Sequence, residues 1–85
     1  MVAEYQIFPN PVRSFFTIKA INPALAPTEL DIFSRDGLLY QKFEFKHPNE
    51  NYEYMVDVRS LSPGAYYLLI HSNGGNNIES INKYL

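Results

Sequence analysis

The chain has 85 residues, a formal net charge of −2, 46% hydrophobic and 15% aromatic residues, and no cysteine. That length makes a single domain spanning residues 1–85, and its seven Tyr and six Phe supply a dense core for so small a fold. The balance excludes a basic nucleic-acid binder, the lack of cysteine excludes disulfides and thiol chemistry, and no apolar run approaches the roughly 20 residues of a membrane-spanning helix.

Met1-Val2-Ala3 is followed at once by Glu4 and strand-like sequence, which is not a signal peptide; these residues read as the added start of an excised piece. From there the chain alternates turn punctuation with short aromatic and β-branched runs. The punctuation is Pro9-Asn10-Pro11, Asn22-Pro23 with Pro27, Asp36-Gly37, His47-Pro48-Asn49, Pro63-Gly64 and Asn73-Gly74-Gly75-Asn76-Asn77. Between these turns, strands are predicted over residues 4–8, 15–21, 29–34, 38–46, 52–59, 65–72 and 78–84.

Period-2 alternation assigns inward rows. Phe16, Ile18 and Ala20 share one face against Thr17 and Lys19. Leu39, Phe43 and Phe45 oppose Lys42 and Glu44. Tyr54, Val56 and Val58 oppose Asp57 and Arg59, and Tyr66, Leu68 and Ile70 form a further inward row. Short strands at this spacing predict an all-β fold, an immunoglobulin-like β-sandwich of about seven antiparallel strands.

The search for chemistry yields no catalytic residue, cofactor or small-molecule substrate. His47 and His71 are 24 positions apart and read as exposed or half-exposed side chains, since a metal site needs three or four converging ligands. No Ser sits in a Gly-x-Ser-x-Gly elbow. Glu29, Asp31, Asp36, Glu50, Glu53 and Asp57 invite a calcium reading, but no Asp-x-Asp-x-Asp-Gly loop exists; they read as solvated faces and turn hydrogen bonds. Residues 73–77 read as a hairpin loop. Tyr40, Tyr52 and Tyr67 could form a sugar-stacking platform, although cross-strand pairing is their plainer use on a sheet. Across residues 57–64, Leu61 should plug one end of the sandwich. Pro63 fixes φ, Gly64 permits the reversal, and Asp57 or Ser60 can hydrogen-bond the turn backbone.

Three ordered blocks carry a resemblance. Phe8-Pro9-Asn10-Pro11-Val12 precedes a strand bearing Phe16 and Ile18. Leu30, Ile32 and Phe33 precede Gly37. Asp57, Leu61, Gly64, Tyr66, Leu68 and Ile70 follow, with Lys83 near the end. In this order the chain resembles the type A C-terminal sorting domain of the type IX (Por) secretion system of Bacteroidetes. Ser34 and Leu38 depart from the family pattern, which favours Asp or Asn and a basic residue there.

The resemblance implies a transport tag and not an enzyme. Such a domain ends a larger N-terminal cargo protein, is recognised in the periplasm by the secretion machinery, and takes the cargo across the outer membrane to the cell surface. A sortase-like protease then removes it. Recognition is expected at the last strand, through Asn82, Lys83, Tyr84 and Leu85, beside the corner at 57–64 and read by strand addition. An exposed Lys83 would alternatively guard that edge against aggregation. Pro9, Asn10, Pro11, Gly37, Asp57, Leu61, Gly64 and Tyr66 carry the motif and the fold. Open edge strands also allow a homodimer. The competing readings are a fibronectin-like or carbohydrate-binding accessory module of a secreted enzyme, and a spacer domain.

Overall fold

A computed structural model describes residues 5–45, 52–73 and 75–84. The expectations for Glu4, Lys46, the turn at His47-Pro48-Asn49, Glu50, Gly74 and Leu85 lie outside these residues. Seven strands form: β1 (Tyr5–Phe8), β2 (Phe15–Ala20), β3 (Pro27–Ser34), β4 (Leu39–Glu44), β5 (Glu53–Asp57), β6 (Gly64–Ser72) and β7 (Gly75–Lys83). They build a three-stranded sheet, β1-β2-β5, and a four-stranded sheet, β4-β3-β6-β7. All neighbouring strands run antiparallel. The all-β sandwich expected from the turn spacing is therefore the fold.

The inward rows meet in one core. Phe16, Ile18 and Val56 from one sheet are fully buried against Leu30, Ile32, Leu68 and Ile70 from the other, with Ala20, Tyr54 and Tyr66 also buried. Between β2 and β3, Pro23–Leu25 makes one turn of 3-10 helix. Asn22 caps it by accepting from the Ala24 N–H at 3.0 Å.

The fourth strand departs from its expected alternation. Ile32 pairs with Gln41 but Phe33 pairs with Leu39, so the register shifts and Tyr40 is the extra residue. Phe43 and Phe45 still pack against the core, whereas Leu39, expected inward, is 54% exposed. Tyr40 instead leans edge-on against Tyr66, ring centroids 5.6 Å apart. The β3–β4 hairpin closes through Ser34, which bonds Leu38 through both its backbone N–H and its hydroxyl oxygen, while Gly37 takes φ 85°, a left-handed value that favours glycine.

At the 57–64 corner, Val58 and Leu61 are buried, and the Leu61 N–H donates to the Val58 carbonyl at 3.1 Å. Tyr66, near the start of β6, donates its hydroxyl proton to the Ser62 carbonyl at 2.5 Å. This is the tyrosine-corner arrangement of immunoglobulin-like sandwiches, in which a tyrosine ties the corner to the strand that follows it. Burial also pushes the Tyr66 hydroxyl above its ordinary pKa, so it stays a donor.

Candidate recognition surface

The terminal strand β7 carries two opposite faces. Ile81 and Lys83 point inward and are buried, while Asn82 and Tyr84 are exposed. Gly64 pairs with Lys83 and Ala65 with Asn82, so the corner and the terminal strand lie side by side, as the motif order suggested.

The free edge of β7 is not bare. The Asn10 carboxamide accepts from the Asn82 N–H at 3.0 Å and donates to the Ser80 carbonyl at 3.4 Å. Val12 then forms a parallel bridge to Lys83, donating to the Asn82 carbonyl at 2.7 Å and accepting from the Tyr84 N–H at 2.9 Å. Arg13 completes the strap, its guanidinium carbon 5.1 Å from the Tyr84 ring centroid. Both prolyl bonds of this block, Phe8–Pro9 and Asn10–Pro11, are cis. The Pro-Asn-Pro block of one sheet thus occupies the edge of the other from Ser80 to Tyr84. Strand addition to β7 is left with the edge before Ser80.

Replacing Asn10 by Ala should remove two hydrogen bonds and uncover this edge. The expected cost is about 1 kcal/mol in urea denaturation, and size-exclusion chromatography should show new concentration-dependent self-association. An unchanged monomer of unchanged stability would mean that the strap does not protect the edge.

Lys83 was expected to be exposed, and it is 8% exposed. It shares the parity of Ile81, and its ammonium donates to the Tyr84 carbonyl at 3.0 Å. With the Lys83 ammonium turned to the inner rim, the exposed side chains of this end are Asn82 and Tyr84. At the adjoining corner, Asp57 accepts from the Arg59 backbone N–H at 3.0 Å and from its guanidinium at 2.8–3.2 Å. The Arg59 side-chain hydrogen bonds hold the Asp57 carboxyl below its ordinary pKa. Arg59 also stacks over Phe15 at 5.0 Å.

The outer face of the four-stranded sheet holds two neighbouring features. A shallow concavity of about 500 Å³ is lined by Phe33, Ser34, Arg35, Gly37, Tyr67, Leu69 and Ile78. Ile78, opposite Leu69, is 71% exposed there. Next along the same face lies a charged cluster. His71 Nε2 is 2.9 Å from Asp31 Oδ2, and its Nδ1 is 3.0 Å from Asn76 Oδ1. Lys42 Nζ stands 3.8 Å from Asp31 Oδ1 and 3.9 Å from Glu29 Oε2. Asp31, expected on a solvated face, is buried beneath these neighbours.

Both partners of the His71 ring are acceptors, so both hydrogen bonds form only when the ring is an imidazolium. The Asp31 hydrogen bond is the main reason its pKa is raised above 6.5. The folded-state value therefore exceeds the unfolded one. The stabilisation is fully present below about pH 6.5 and is lost as pH rises through the folded pKa. In EDTA, the urea midpoint should fall between pH 6 and pH 8 in the native chain. In a His71→Gln variant that fall should disappear; a fall that persists would assign it to another group.

The three tyrosines proposed as a sugar platform do not come together. Tyr40 packs on Tyr66, Tyr52 packs against the core, and Tyr67 lines the outer concavity. The outer cluster was invisible in the sequence because Asp31 and His71 meet only through the β3–β6 register. Among the described residues, no helix is long and apolar enough to cross a membrane.

Comparison with curated proteins finds no match. Among solved structures, the chain is similar to the sulfur carrier protein SoxY from Chlorobium limicola f thiosulfatophilum. Identity is 14% and the TM-score 0.48, covering 99% of this chain and 82% of that one. The family model for the secretion system C-terminal sorting domain matches residues 6–83. That match spans all three motif blocks and the terminal strand, and the chain belongs to the secretion system C-terminal sorting domain family.

Proposed function

We propose that this domain directs an N-terminal cargo through the type IX secretion system by presenting a folded terminal strand to the transport machinery. The family is one of sorting signals and not a catalytic family, and it implies export to the surface or secretion. The observation that supports the finer reading is the convergence of separate motif blocks on one strand. Asn10 and Val12 clasp β7 on its free edge, while Gly64 and Tyr66 flank it on the other. The motif thereby fixes one strand end and leaves Asn82 and Tyr84 outward. Partner protein would read these two side chains with Leu85, while buried Lys83 positions the strand. A surface sortase-like protease would then act on the delivered protein.

The test is a reporter carrying an export signal and this domain, expressed in a host with the secretion system. The double variant Asn82→Ala, Tyr84→Ala should keep its thermal unfolding within a few degrees yet lose surface delivery. A stable double variant that is delivered normally would sink the terminal-strand reading. Deletion of residues 82–85 should likewise abolish delivery.

A further inference from the structure

We propose that Glu29, Asp31 and His71 form a binding site for a divalent transition-metal cation of the zinc class, with the Lys42 ammonium as a built-in competitor for the same carboxylates. One potential ligand atom from each of the three residues lies within 4.8 Å of the other two. The site is rigidly framed, because Glu29 and His71 are direct partners across β3 and β6 and Asp31 is the next residue on the same face of β3.

Two further observations point to a missing cation. Asp31 has a side chain only 10% exposed, and its buried Oδ1 accepts no hydrogen bond. The nearby Lys42 ammonium, at 3.8 Å, is beyond hydrogen-bonding range. Second, His71 Nδ1 is engaged by Asn76 Oδ1 at 3.0 Å, so Nε2 is the ring nitrogen turned toward the carboxylates. Nε2 faces Asp31 Oδ2 at 2.9 Å, a gap that the imidazolium proton fills at low pH and that a metal can fill when the ring is neutral. Two acceptors at this separation need a cation between them, either a proton or a metal.

The donor set selects the class. One imidazole nitrogen and two carboxylates match a three-ligand zinc site with water in the fourth position. Calcium takes six to eight oxygens, more than this face offers. Asn76 already makes the outer hydrogen bond that orients a metal-bound histidine. Glu29 is 39% exposed on its side chain and can swing inward, and Lys42, 54% exposed, can retreat to water. A bound ion would clamp β3 to β6 and stabilise the sandwich by mass action.

The experiment is calorimetric titration of the 85-residue chain with zinc chloride at pH 7.5, with the His71 ring followed by NMR. One zinc per chain is expected, with the His71 ring resonances shifting at the same stoichiometry. His71→Gln and Asp31→Asn should each weaken binding by about tenfold or more. Lys42→Met should tighten it by about fivefold, because it removes a competing unit charge about 4 Å from both carboxylates. That gain separates this site from adventitious surface binding. Should zinc fail to saturate both the native chain and Lys42→Met, or bind His71→Gln as well as the native chain, the assignment is overturned. Weaker binding by Lys42→Met, or displacement of zinc by equimolar calcium chloride, would overturn it as well.

Discussion

Phe16→Ala is expected to leave the domain largely unfolded and its cargo undelivered. Phe16 sits in the middle of the inward row of β2, opposite Val56, and is fully buried. Removing its ring deletes buried apolar surface and leaves a cavity that rigid sheets close poorly, at a cost of about 3–5 kcal/mol. A chain of this length has a total stability of about 4–13 kcal/mol, and small domains lie toward the low end. Met55→Ala is the matched control. Met55 lies on β5 beside Val56 but is 72% exposed, so its truncation should move stability by no more than about 0.5 kcal/mol. Urea denaturation followed by tyrosine fluorescence reads both. If Phe16→Ala unfolds in the reporter and is still delivered, the tag is read as an extended peptide and not as a folded strand.

What was legible in the sequence divides along physical lines. The seven strands and most inward rows were legible because alternation and turn chemistry are local. Phe16-Thr17-Ile18-Lys19-Ala20 states its own pleat, and Pro63-Gly64 states its own corner. The exposure of Leu39 was not legible, because the bulge at Tyr40 is set by pairing with β3 and leaves no mark in the residues of β4. The burial of Lys83 was ambiguous for a related reason. Ile78 and Ile81 have opposite parity, so only one of them can face the core. The register opposing Ile81 to Tyr66 turns Lys83 inward and Ile78 outward. The strap could not be read at all, since Asn10 and Asn82 lie 72 positions apart and meet across the two sheets. The family resemblance named the Pro-Asn-Pro block without saying what it holds. The structure shows that it holds the terminal strand.

Lys83 separates a residue that is read from a residue that positions, and its variants carry the second large effect. Its ammonium is withdrawn from most of its water and bonded to the Tyr84 carbonyl. Met keeps the length and the apolar stem while removing the charge, and buried charges replaced by apolar isosteres are commonly neutral or stabilising. Lys83→Met should therefore fold with equal or greater stability. Lys83→Glu brings an acceptor-only carboxylate to the rim where the Tyr84 carbonyl was satisfied by a donor. It leaves both oxygens short of a partner and should cost about 3 kcal/mol or more. If Lys83 positions the strand, delivery should follow stability: retained in Lys83→Met and lost in Lys83→Glu. A Lys83→Met domain that unfolds at the native urea midpoint yet is not delivered would show the opposite. The machinery would then have to draw the buried ammonium out of the rim and bind it directly, breaking its bond to Tyr84 at the moment of recognition.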